Sequence, residues 1–283
     1  MKRNHITARS IAISLLFGGL ALLLLLPILV TISSSMMAPC DLDFYYFGTK
    51  SVYTIRLFPD NLSFSQYSAA LWKNTDYTRA LLNSLFFATA STALSLLISL
   101  PAAYALAHCH FRFSRPLLFL LVLLMIIPYQ AIEIPQYLLL RKLSLLGSDA
   151  AVILTHAHET FEAVLLFLLF SAIPHETIEQ AAIDGAGLLR TLFLVVLPQV
   201  SNGIFLVFFL KFVNAMGLTE QPLLFLADAT QHPLSLSLPT LVVAEPHSAF
   251  GFSFVLMAIP LLLAFSLGGK WKAFLSFEKE KSL

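Results

Sequence analysis

The densest run of side chains able to bind ions or pass protons is His156-Ala157-His158-Glu159, with Glu162 three residues further on. A metal site is the first chemistry these residue types suggest. Protease-type zinc sites place two histidines four residues apart on one helical face, whereas His156 and His158 on a helix would point about 200° apart. No metal is therefore expected. On one continuous helix at about 100° per residue, His156, His158, Glu159 and Glu162 fall within about half the circumference, with His158 and Glu162 nearly aligned. They could line a polar conduit, or face water or a partner at the outer end of the helix. Further polar groups are Gln130 and Glu133 beside Tyr129 and Gln136, and Asn202, Lys211 and Asn214, of which Lys211 could instead snorkel to an interface. No catalytic constellation stands out, so no catalytic residue is assigned. A G-x-x-x-x-G-K-[ST] phosphate cradle is absent, so ATP is not expected to bind this chain.

The elements that must hold these residues are set by composition. The chain has 283 residues, 58% hydrophobic and 12% charged, too few charges for the water-facing shell of a soluble domain. Its net charge of +1 offers no field for nucleic acid. Spanning a bilayer takes about 20 apolar residues in a helix, because lipid cannot pair backbone N–H and C=O groups. Six stretches qualify, near residues 11–32, 80–107, 116–140, 150–173, 192–213 and 249–267. The expected fold class is thus all-α, a polytopic membrane protein with six transmembrane helices. The first stretch could be a signal peptide, but its apolar run of roughly 22 residues exceeds the usual h-region and reads as a retained anchor. Charged groups inside such spans are costly and mark a cavity or a partner. Lys and Arg concentrate on the cytoplasmic side. With both termini inside, cytoplasmic segments hold about ten of them against about six in a longer total of external loop.

Residues 33–79 form a long external segment with turn signals at Pro39, Gly48, Pro59 and Asn61 and an amphipathic stretch around Tyr67, Leu71 and Trp72. The third span is interrupted by Pro128 and Pro135, which predicts either a kinked span lining a watery cavity or a helix that ends at Pro128 and resumes along the surface. Cys40 and Cys109 would lie near opposite faces of the membrane, too far apart for a disulfide.

Between the fourth and fifth spans lies a cytoplasmic segment, 174–198. Pro174 suits a first helical turn, and Glu176 and Glu179 suit the positive end of a helix dipole. Ala181, Ala182, Gly185, Ala186 and Gly187 make a small-residue surface, and the glycines permit a sharp reversal between two short helices. This segment resembles the cytoplasmic loop of permease subunits of binding-protein-dependent ABC importers, which reads Glu-Ala-Ala, three residues, Gly, nine residues, Ile-x-Leu-Pro. Here Glu179, Gln180, Ala181, Gly185, Val195, Leu197 and Pro198 hold those places, with Gln180 and Val195 as departures. Asp184 and Ala186 match the Asp-Gly-Ala of the carbohydrate branch. Asn83-Ser84, the run 102–107 followed by Phe111-Arg112-Phe113, and Ile134-Pro135-Gln136-Tyr137 are similar to the second permease of maltose-type systems. The loop after the fifth span and the C-terminal end depart from that branch.

The resemblance implies a type I importer permease in which Glu179, Gln180, Ala181, Ala182, Asp184, Gly185, Ala186, Leu197 and Pro198 couple to a cytoplasmic ATPase dimer. It further implies a second permease subunit, an extracytoplasmic solute-binding protein, and ATP and Mg on the ATPase partner. Residues 1–79 are then an N-terminal helix with its external segment, 80–268 the core permease domain, and 269–283 a cytoplasmic tail. The implied cargo is a sugar or sugar-like solute, crossing the inner membrane past Gln130, Glu133, His158, Glu159, Glu162, Asn202 and Asn214. A glycerol-phosphate ester or phosphonate remains open as cargo. A different class is an ion-coupled secondary transporter relaying protons or sodium through Glu133, Glu159 and Glu162.

Overall fold

The structure is a computed structural model and describes residues 8–47, 57–68, 72, 75–109 and 111–266; the expected tail 269–283 lies outside the described residues. Among the described residues the chain is helical, and β pairing is confined to one isolated antiparallel bridge between Met37 and Leu62. The apolar runs become α1 (Ala8–Ser35), α2 (Thr75–His108), α3 (Ser114–Ile126), α4 (Tyr129–Lys142), α5 (Asp149–Ala157) and α6 (Phe161–Ser171). They continue as α7 (His175–Ile183), α8 (Leu188–Gln199, with a π-helical turn at Leu192–Val196), α9 (Ser201–Met216), α10 (Glu220–Phe225), α11 (Leu234–Ala244) and α12 (Pro246–Ser266).

Among the described residues four helices are long and apolar enough to cross a bilayer, counting Asp149–Ser171 as one, and two bent pairs raise the number to six if each is one span. The pairs are α3 with α4, bent by 101°, and α8 with α9, bent by 87°. The third span is interrupted at Pro128, a feature both of its expectations share. α3 ends, Pro128 caps α4 in an extended conformation, and Pro135 is absorbed inside α4. The fifth span was expected from residue 192, but the helix turns at Val200 (φ −111°, ψ 18°), so only α9 runs on beyond the bend. Apolar content could not locate that bend, because both of its arms are apolar.

The described residues group into two compact units, 1–78 with 238–257, and 79–237 with 258–283. In the first unit the described residues of the segment 36–68 fold back on the C-terminal end of α1 and the first half of α12. Gln66, 1% exposed, is its peg. Its side-chain N–H groups donate to the carbonyls of Ser34 (2.7 Å) and Met37 (3.1 Å), and its side-chain oxygen accepts from Gly251 N (3.1 Å). A Cβ at Gly251 would sit 3.1 Å from Gln66 Cβ, so glycine allows the close approach. Asp41 accepts from both the backbone and side-chain N–H of Asn61, and Tyr45 bonds Asp60. The middle of α1 is exposed along Leu15, Leu16, Phe17, Leu22, Leu23 and Leu24, as suits lipid.

In the second unit a core forms where α2 gives Ala103 and Tyr104, α6 gives Leu166 and Phe170, α8 gives Leu192 and Val196, and α9 gives Val207. Lipid tails are as apolar as these side chains, so close van der Waals packing has to hold them together. Small residues make it possible. α2 buries Ser91, Thr92, Ser95 and Ser99, and a Cβ at Gly203 of α9 would come 2.6 Å from the Leu169 side chain of α6. In the N-terminal part of α2, Asn83 donates to the carbonyls of Thr230 and His232, while Ser84 accepts from Leu234 N, clamping the loop before α11. In that loop the backbone N–H of Thr230 bonds the exposed Asp228 carboxylate and holds it below the usual carboxylate range.

Candidate functional site

Two places in the second unit carry chemistry. The first is the segment 174–198, expected on the cytoplasmic side. α7 starts after Pro174, which takes the N-cap position, so Glu176 lies in the first turn and Glu179 beyond it. The helix ends in a Schellman turn, with Gly185 N donating to the Ala182 carbonyl, Ala186 N to the Ala181 carbonyl, and Gly185 at φ +79°. That is the reversal expected of Gly185. Gly187, at φ −72°, needs no special freedom. Glu179, Gln180, Ala182 and Asp184 are exposed, Ala181 is buried, Ala186 and Leu197 are half-buried, and Pro198 is exposed. Exposed apolar side chains, Ile183, Leu188 and Leu189, flank this face. The segment is also anchored inward, because Leu192 and Val196 are buried in the core and Ile178 packs against it. The sequence pattern pointed to Val195 and Leu197; the buried contact falls on Val196 between them, because the π turn shifts the helical phase.

The second place is the polar run of the fourth span. This span is not one continuous helix. It breaks between Ala157 and Phe161, so the expected alignment of His158 with Glu162 fails. His158 turns to the surface and sits 3.2 Å from Gln136, while Glu162, 2% exposed, turns inward. Lys211 of α9 enters the gap. Its ammonium donates to the His156 carbonyl (2.7 Å) and to Glu159 (2.7 Å), and lies 3.5 Å from Glu162. A helix C-terminus leaves carbonyls without intrahelical partners, and Lys211 satisfies one of them. At 2% exposure it does not snorkel; it is buried and paired. Ser95 of α2 approaches Glu162 at 3.5 Å. His156 Nδ1 is 3.0 Å from Glu159, a charge contact off hydrogen-bond alignment, because neither nitrogen of this fully buried ring has a hydrogen-bond partner.

A cavity of about 260 Å³ opens beside the break. Its wall includes Met125 and Ile127, Tyr129 of α4, Thr155 of α5, and His158, Glu159 and Phe161. Of the residues expected along a solute path, His158 and Glu159 reach it directly. Glu162 stands behind Glu159 on the shared Lys211, and Gln130 bonds Glu220 at 2.9 Å. Glu133 is half-buried on α4, and Asn202 (half-buried) and Asn214 (exposed) sit near opposite ends of α9, all outside the cavity wall. Tyr129, Phe161 and Lys211 were not legible as one site. Lys211 carried a signal as a single cation in an apolar run, and Tyr129 one as a neighbour of Gln130 and Glu133. No group of three or more His, Cys, Asp or Glu among the described residues could hold a metal.

No protein-family model matches the chain. A sulfoquinovosyl glycerol transport system permease protein from Agrobacterium fabrum is 36% identical over 137 residues, 48% of this chain and 48% of that protein. A putative ABC transporter permease protein from Streptomyces antibioticus is 32% identical over 192 residues, 66% of this chain and 84% of the relative. A probable ABC transporter permease protein from Pyrococcus horikoshii is 30% identical over 187 residues, 64% of this chain and 67% of that one. The chain therefore spans about half of the first relative and two thirds or more of the other two. The crystal structure of a bacterial ABC transporter involved in the import of the acidic polysaccharide alginate matches 96% of this chain and 99% of its own with a TM-score of 0.77, and its 22% identity speaks for the fold alone. With a multi-pass helical fold and two such relatives matched over most of their length, the chain belongs to the ABC transporter permeases.

Proposed function

We propose that this permease forms one half of an alternating-access path for a sugar or sugar-like solute in an importer of the inner membrane. A second permease subunit completes the path, an extracytoplasmic solute-binding protein delivers the cargo, and a cytoplasmic ATPase dimer binds ATP and Mg and hydrolyses the nucleotide. Both termini then face the cytoplasm. The observation that carries the reading is the build of α7, a helix with an exposed face and a glycine-closed end whose continuation is locked into the core through Leu192 and Val196. An exposed helix with a rigid root can take up a push from a partner and pass it on. Sugar as cargo draws support from the sulfoquinovosyl glycerol permease, whose printed cargo is a glycoside.

The test uses Gly185→Val and Glu179→Lys. Gly185 sits at positive φ, where a β-branched side chain is strained, although a Cβ would meet nothing within 4 Å. The valine should therefore act by opening the turn. Glu179→Lys inverts charge on the exposed face. Both variants should insert normally yet lose ATPase co-purification or substrate-stimulated hydrolysis. Uptake that follows an ion gradient without any ATPase would favour the secondary-transporter alternative and sink this reading.

A further inference from the structure

The cavity beside the α5/α6 break has one-sided electrostatics. Among the described residues, Glu159 is the only acidic or basic residue in its wall apart from His158, and neither Lys nor Arg lines it. The cation that pairs Glu159 is sealed behind it: the Lys211 side chain is fully buried, while that of Glu159 is 36% exposed. That single ammonium also faces Glu162, so two carboxylates share one fixed positive charge. A second feature adds to the field. The Tyr129 hydroxyl has no hydrogen-bond partner, and the carboxylates of Glu133, Glu220 and Glu159 all lie close enough to act on it. The wall thus offers the acceptor oxygens of Glu159 and the ring faces of Tyr129 and Phe161, with the Tyr129 hydroxyl itself buried behind them.

We propose that this cavity is an electronegative solute site that admits uncharged or cationic polyhydroxylated solutes and rejects acidic ones. The proposal rests on the permease reading above and narrows its substrate class. A carboxylate accepts two hydroxyl donors from one sugar ring, and aromatic faces cover its C–H surface. A uronate, phosphate or sulfonate would instead meet the Glu159 carboxylate with like charge and no cation in the wall to answer it. On this point the chain separates both from the sulfoquinovosyl glycerol permease, whose cargo bears a sulfonate, and from an importer of an acidic polysaccharide, despite its likeness to each.

The field can be read without knowing the cargo. In a Cys40→Ser, Cys109→Ser background, the full chain in membrane vesicles receives Ile132→Cys or Phe161→Cys, both at wall positions. Modification rates are measured by mass spectrometry at pH 8, above the usual histidine range, with trimethylammonioethyl, sulfonatoethyl and methyl methanethiosulfonate. Each rate is divided by that of the same reagent with a free thiol. The cationic reagent should outpace the anionic one by about tenfold, the effect of one net charge at about 8 Å in a largely watery medium. Adding Glu159→Gln should bring that ratio close to the free-thiol value while leaving the uncharged reagent's rate unchanged. A ratio at or below the free-thiol value, a ratio that survives Glu159→Gln, or no reaction even with the uncharged reagent would each overturn the proposal. These rates do not need an ATPase to be present, so their failure is distinct from failure of the coupling test.

Discussion

Replacing Lys211 with methionine should destabilise the folded permease more than almost any other single change to its interior. Methionine approximates the length of the lysine stem but deletes the ammonium, and with it the bonds to the His156 carbonyl and to Glu159 and the attraction to Glu162. Removing one partner of a buried ion pair costs about 3–5 kcal/mol, because the remaining charge stays desolvated. The two carboxylates do not count equally. Glu159 is 36% exposed and water can partly take over its solvation, whereas Glu162 is 3% exposed and water cannot. The expected cost is therefore near the lower end, about 3 kcal/mol. For a chain of this size that corresponds to a melting point lowered by roughly 5 °C. The assay is thermal unfolding of purified protein in nanodiscs, run on Lys211→Met, on Glu162→Gln and on the double variant. Glu162→Gln in the methionine background should recover a large part of the loss, since it removes the stranded buried charge. If Lys211→Met unfolded at the wild-type temperature, or if the double variant were less stable than the sum of the singles, the buried ion cluster would not be what holds the broken span against α9.

Other outcomes follow from the same structure. With both termini inside, a Ser65→Cys variant should label from outside the cell and Ser282→Cys should not, and the reverse pattern would reject the orientation drawn from Lys and Arg. Gln66→Ala removes three hydrogen bonds from a side chain 1% exposed and strands two carbonyls and one N–H. It should cost about 1–3 kcal/mol and raise hydrogen exchange selectively in 57–68, with no change expected in 175–199.

How far these features could be read in advance depended on whether local chemistry or tertiary contact decided them. α1 and α12 were legible because lipid demands a long apolar helix and nothing else competes. The turn at Gly185 was legible because glycine at a helix end has one cheap conformational use. The interruption of the third span was legible from Pro128, whereas the 101° angle between its arms was not. The break at 158–160 could not be found the same way, because residues 157–161 contain neither Pro nor Gly. What makes it affordable is remote in sequence: Lys211 meets the freed carbonyl, and Gln136 meets His158. The helical-wheel argument assumed a continuous span and failed there, although it had gathered the right residues. Asn83 and Ser84 were marked only by family likeness, and the structure supplies their physical role as a clamp on the loop before α11.

Under the proposed coupling role, docking on α7 and transmission of the push should be separable at Val196. α9 begins at the 87° bend that ends α8, and it bears Lys211 nearly three turns further on, so one helix links the segment of α7 and α8 to the ion cluster. Val196 lies 0% exposed at the root of this lever, packed with Tyr104, Phe170 and Val207. Truncation to alanine removes two methyl groups there and opens a void, at an expected cost of about 1–2.5 kcal/mol, too little to unfold the chain. The exposed face of α7 and its Schellman turn are untouched, so an ATPase partner should co-purify at the wild-type level. The cushion of the void should absorb part of the displacement before it reaches α9. Val196→Ala should therefore retain assembly and basal hydrolysis while losing substrate-stimulated hydrolysis and uptake together, unlike Glu179→Lys, which should lose assembly itself. Wild-type uptake in Val196→Ala, or loss of the ATPase from it, would show that force does not travel through this root.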